Sequence, residues 1–192
     1  MKITKVTGLF YAVIALGISS VITQIIYIRE FLNVFYGNEL IFGIILASWM
    51  SLTAVGAYLG KYSVRIKRKE RYLIILQIFS AVFPLLTVFL LRWLRNVIFP
   101  AGVMLNIPDG IIISFSFLAP YCLISGFLFT FFCISLSENL KSNQIGRVYY
   151  YDTLGSIIGG LVFNFILVFL LNSLQSLYIL MFQQQPRKPL HP

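Results

Sequence analysis

Acid is scarce in this chain. Its 192 residues include only six Asp and Glu, one His and two Cys, and charged residues make up 11% of the total. A soluble domain carries about 25% charge, so so thinly charged a chain does not belong to that class. The single histidine, His191, lies beside the terminal proline, where a solvated ring has no catalytic or ligand role. Cys122 and Cys133 fall on one expected helix, eleven residues apart. At about 1.5 Å rise per residue they cannot bond to each other, and they read as small apolar residues in a membrane helix. No phosphate loop, metal-ligand cluster, G-x-S-x-G or haem-attachment pattern occurs. The sequence therefore points to no cofactor, no metal and no catalytic residue, and to no nucleic-acid partner.

What fills the chain is apolar: 59% of residues are hydrophobic and the mean hydropathy is +0.88. A membrane-spanning helix needs about 20 predominantly apolar residues. Five runs meet that length, at about 7–28, 40–59, 72–91, 110–136 and 146–171. Pro84 marks a kink in the third and Pro120 lies inside the fourth. The first run follows Lys2 and Lys5 but is longer than a signal-peptide core and lacks an A-x-A site, so it is a retained helix. After Asn172-Ser173 a shorter run, 174–182, is either a sixth helix that stops short or an extension of the fifth. The tail 183–192, QQQPRKPLHP, has nothing that can form a core and reads as disordered. The expected fold is an all-α polytopic transmembrane bundle over 1–182, with five spans and a partial sixth.

Positive charge is placed unevenly along the chain. Lys61, Arg65, Lys67, Arg68, Lys69 and Arg71 crowd the connection between the second and third runs. Cytoplasmic connections are enriched in Lys and Arg. With the N-terminus inside, ten basic residues fall on the inner side and five on the outer. The expectation is an integral protein of the bacterial inner membrane, N-terminus cytoplasmic, whose Lys61–Arg71 loop meets anionic lipid headgroups.

Three constellations stand out from the apolar background. Gln24, Arg29, Glu30, Asn38 and Glu39 surround the first outer connection. Their plain reading is an Arg29–Glu39 ion pair fixing a helical hairpin; the sharper one is a polar surface site for a cationic or polar ligand. In the second run Gly43, Ala47, Gly56 and Gly60 recur at small-residue spacing, and Gly155, Gly159 and Gly160 do so in the fifth. Gly-x-x-x-Gly lets a neighbouring helix approach closely, so both runs are expected to be central helices. The third constellation is Arg147 to Asp152. Ser142 or Asn143 suits the cap of that helix, and the three tyrosines suit an interfacial belt. A carboxylate in a membrane helix is costly unless paired. The expected partners of Asp152 are Arg147 or a basic residue of the Lys61–Arg71 loop. The alternative is a carboxylate that binds a proton or cation.

Three stretches, in this order, resemble one family. They are QIIYIREFLNVFYGNELIFGIILASW from Gln24 to Trp49, LAPYCLISGFLF from Leu118 to Phe129, and GRVYYYDTLGSIIGG from Gly146 to Gly160. The chain resembles the membrane portion of the bacterial spermidine synthase-like integral membrane proteins. In that family a multi-helix region precedes a soluble aminopropyltransferase-like domain. The Gly-rich loop and polyamine-binding acids of that domain have no counterpart here, so aminopropyl transfer cannot be carried over. The resemblance implies a truncated member, a frameshift product or a stand-alone membrane subunit. Its function would be to anchor or scaffold a protein partner, or a second copy of itself. The alternative is a transporter or channel-like protein for a small cation such as a polyamine.

Overall fold

The computed structural model describes residues 2–34, 39–98 and 107–167. These residues form α1 (Lys2–Val34), α2 (Glu39–Gly60), α3 (Lys69–Ile98), α4 (Ile107–Leu140) and α5 (Ile145–Val162). A 3-10 turn (Lys61–Arg65) follows α2, and a π-helical segment (Phe163–Leu167) continues α5. No strand occurs among the described residues. Among the described residues, four helices are long and apolar enough to cross a membrane, within Val6–Val34, Leu40–Arg65, Lys69–Trp93 and Pro108–Leu140. The end of the fifth expected span, the 174–182 run and the tail lie outside the described residues. Pro84 and Pro120 are both accommodated inside long helices.

Beside its apolar core the bundle buries many small polar residues and leaves large apolar ones exposed. Ser19, Thr23, Ser48, Gln77, Ser80, Thr87, Ser114 and Ser125 are buried, whereas Phe89 is 64% and Phe165 74% exposed. A bilayer solvates apolar side chains as well as a protein core does, and rewards small and polar residues between helices. This distribution suits an integral membrane protein.

The tightest contacts do not follow chain order. A Cβ on Gly56 would lie 2.3 Å from the Leu123 carbonyl oxygen, and one on Gly126 would lie 2.1 Å from that of Thr53. A Cβ on Gly60 would meet Thr130 at 2.5 Å. Thr130 Oγ1 also donates to the Ala57 carbonyl across this seam at 3.0 Å. Residue numbers rise together along the seam, so α2 and α4 are parallel. The same device joins α1 to α5. Cβ atoms on Gly17, Gly155 and Gly159 would meet the carbonyl oxygens of Asp152, Ile14 and Ile18 at 2.2, 2.3 and 2.8 Å. Here too the numbers rise together. Two parallel pairs are each zipped by one glycine on one helix and a Gly-x-x-x-Gly on the other.

This arrangement corrects the expectation that the second and fifth runs are central. α1 and α4 each pack on all four other helices, whereas α2 packs chiefly on α4 and α5 chiefly on α1. A Gly-x-x-x-Gly strip is flat on one side only and serves one close neighbour, whereas a central helix must pack on several faces. Gly43 and Ala47 are corrected as well: both are exposed, and Gly43 has nothing within 4 Å of its Cβ position. Gly160 makes only an ordinary contact, 3.8 Å from Val21.

α3 completes the bundle. It packs on α4 and α1 and is tied by an ion pair near each end. Lys69 pairs with Glu138 of α4, and Arg92 pairs with Glu30 of α1. α4 ends with Lys141 in the left-handed region (φ 53°), and Ser142 N–H returns to the Ser137 carbonyl. This is a Schellman-type stop with lysine where glycine is usual.

Candidate functional site

The polar groups inside the bundle are placed by helical periodicity. On α1 the residues Ser19, Thr23, Tyr27 and Glu30 follow three- or four-residue spacing, so they share one face, and all four are buried. That face meets α3 and α4. Gln77 Nε2 donates to the Ala12 carbonyl at 3.4 Å, and Thr87 Oγ1 donates to the Phe117 carbonyl at 3.5 Å. Tyr27, Trp49 and Tyr121 form an aromatic knot, with ring centroids 5.5–6.1 Å apart. A polar seam thus runs from Gln77 through the tyrosines to Glu30.

At the far end of this seam Glu30 is buried and takes a two-pronged contact from Arg92. Arg92 Nε donates to Oε2 at 2.8 Å and Nη2 to Oε1 at 2.6 Å. The planar guanidinium fork matches a carboxylate in this geometry. The ion pair described at this end is thus Glu30–Arg92. Arg29 is exposed, one position and about 100° round the helix from Glu30. Glu39 opens α2, but its side chain and all of Asn38 lie outside the described residues. Gln24 is half-buried.

Asp152 sits on the other flank, half-buried on α5. Its carbonyl faces Gly17, and its carboxylate lies close enough to the Cys133 thiol for the two to interact electrostatically. Among the described residues it forms no ion pair, with Arg147 or with the Lys61–Arg71 segment. Five residues place Arg147 about 140° round the helix from Asp152, and Arg147 is exposed. The expected Arg147–Asp152 pairing is corrected on that ground. Gly17 and Glu30 are thirteen residues apart on α1, so Asp152 and Glu30 stand about 20 Å apart in level. They do not form one site.

The basic segment is largely helical rather than a loop. Lys61 Nζ stands over the Tyr58 ring, 3.5 Å from its centroid, and Lys69 is engaged with Glu138. Arg65, Lys67, Arg68 and Arg71 are exposed. At the start of α5, Asn143 Oδ1 accepts the Ile145 N–H at 3.1 Å. The boundary residue is Gln144, whose side chain makes no capping bond.

Comparison with protein-family models, with curated proteins and with solved structures finds no match. The resemblance to spermidine synthase-like membrane proteins therefore rests on the residue patterns alone.

The hydroxyls of Tyr27 and Tyr121 are buried without a hydrogen-bond partner among the described residues. Thr23, Ser19 and Ser20 are the hydroxyl side chains nearest to that of Tyr121. An unpaired buried hydroxyl costs roughly 1–3 kcal/mol. Tyr121→Phe is accordingly expected to raise stability by about 1 kcal/mol, read as the shift in unfolding midpoint in detergent micelles. A loss of similar size would mean that the hydroxyl is satisfied.

Proposed function

We propose that this chain is a non-catalytic membrane scaffold of five spans that holds an associated protein or domain at the bilayer. In this reading it corresponds to the membrane region of the spermidine synthase-like proteins it resembles. Its N-terminus lies in the cytoplasm of a bacterial cell, and Arg65, Lys67, Arg68 and Arg71 meet anionic headgroups of the inner leaflet.

One observation carries the reading: packing occupies the groups that a transport site would need. The glycines lie against backbone in both parallel pairs. Glu30 is held by Arg92 and Glu138 by Lys69. Asp152 lines neither of the two cavities described at the surface. A second reading, carriage of a small cation such as a polyamine, draws on Asp152, a half-buried acid with no ion pair among the described residues.

Uptake of labelled spermidine into proteoliposomes separates the two. A scaffold gives the same uptake as protein-free vesicles, before and after Asp152→Asn. Uptake that depends on the protein and disappears with Asp152→Asn overturns the scaffold reading.

A further inference from the structure

The bundle has a slot at the end where the 141–144 turn joins α4 to α5. Val6, Phe10 and Ile14 of α1 form one wall, Asn139 and Leu140 of α4 another, and Tyr151 of α5 the third. Its volume is about 480 Å³, within the 300–1,000 Å³ range of small-molecule sites. Within this lining the Phe10 and Tyr151 rings meet, with centroids 4.7 Å apart. Apolar side chains form most of the lining, and the polar groups Thr7, Asn139 and the Tyr11 and Tyr151 hydroxyls complete it.

Among the described residues, the exposed charges near this slot that form no ion pair are basic. Lys141 follows Leu140 directly, and Arg147 lies one turn before Tyr151 on the same face of α5. Both are exposed, and neither forms an ion pair among the described residues. Of the nearby acids, Glu138 is held by Lys69, and Asp152 is half-buried where α5 meets Gly17 of α1, whereas Lys141 and Arg147 are exposed. An apolar slot under unpaired cations is complementary to an amphiphile with an apolar chain and an anionic head.

We propose that the slot holds one acyl chain of an anionic phospholipid, whose phosphate lies against Lys141 and Arg147. This rests on the membrane reading above but not on scaffolding or transport. It differs from diffuse attraction at the Lys61–Arg71 segment, because one lipid is held by shape as well as charge. A phosphatidylcholine of the same chain length lacks the net negative charge and is the matched competitor.

Native mass spectrometry of the detergent-solubilised protein, with phosphatidylglycerol or phosphatidylcholine added, tests this. The expected result is one retained phosphatidylglycerol, favoured about tenfold over phosphatidylcholine. Lys141→Gln with Arg147→Gln should remove the preference, and Val6→Trp should reduce retention by filling the slot. Lys67→Gln with Arg68→Gln should leave that single lipid in place. Loss of the lipid in this last variant overturns the proposal in favour of diffuse charge attraction. So does displacement by glycerol phosphate, which would mark a site for free phosphate. A protein that co-floats with vesicles but retains both lipids equally overturns the proposal alone. One that does not co-float overturns the membrane reading with it.

Discussion

Gly126→Ala should lower the stability of the bundle by about 3 kcal/mol, while Gly43→Ala should raise it by up to about 1 kcal/mol. Both exchanges add one methyl group within a helix, and away from packing each replaces glycine by a better helix former. They differ in what the methyl meets. At position 126 it falls 2.1 Å from the Thr53 carbonyl oxygen and 2.8 Å from the Ala57 nitrogen. Both are backbone atoms of α2, and no rotamer change can move them aside. α2 and α4 must separate, which opens the whole seam and lengthens the Thr130 Oγ1 to Ala57 bond. Overpacking typically costs about 1–3 kcal/mol, and a backbone clash belongs at the upper end. At position 43 nothing lies within 4 Å, so only the helix preference remains. Reversible unfolding of both variants in mixed micelles by denaturing detergent reads the difference. Equal effects would mean that α2 and α4 do not approach as described.

The contrast marks what could be read from the residues alone. Helix positions were legible because a bilayer-length apolar run has few other ways to satisfy its backbone. α2 was expected over 40–59 and spans Glu39–Gly60. α1, α3 and α4 run past the expected limits at both ends, since a helix continues beyond its apolar stretch, while α5 starts at Ile145 and the end of its expected span lies outside the described residues. The small-residue strips at Gly56–Gly60 and Gly155–Gly159 were visible as spacing. Their partners were not, because Gly17 and Gly126 each stand without a Gly-x-x-x-Gly of their own. Nor does spacing say which helix a strip faces, so the parallel pairing of α1 with α5 and α2 with α4 had no local signal. Arg29 and Glu30 present the same limit at one residue's resolution. Both are charged neighbours, and only helical phase decides which one turns inward. The stripe Ser19, Thr23, Tyr27, Glu30 carried that phase and would have selected Glu30. Nothing local pointed to Arg92, which is 62 residues away.

Arg92→Leu should cost about 3 kcal/mol, and adding Glu30→Gln to it should restore a large part of that loss. The Glu30 side chain is 5% exposed and that of Arg92 is 46% exposed. Removing the arginine strands a buried carboxylate without its guanidinium. Removing one partner of a buried pair costs about 3–5 kcal/mol, and the solvent-accessible side of Arg92 places this pair at the low end. Removing the carboxylate leaves a half-exposed cation that can turn outward, so Glu30→Gln alone should cost less, about 1 kcal/mol. The asymmetry is the test, because a surface ion pair would lose little from either side and a fully buried one would lose heavily from both. A double-mutant cycle on unfolding free energies measures it directly. The same cycle reports on architecture. This pair ties α3 to α1 near one end as Lys69–Glu138 ties α3 to α4 near the other. α3 carries none of the glycines that meet backbone in the two zipped pairs, so loss of Arg92 should loosen α3 first. Hydrogen exchange in the Arg92→Leu protein should therefore rise in α3 while the α2–α4 seam stays protected. Uniform loss of protection would mean that the five helices unfold as one unit.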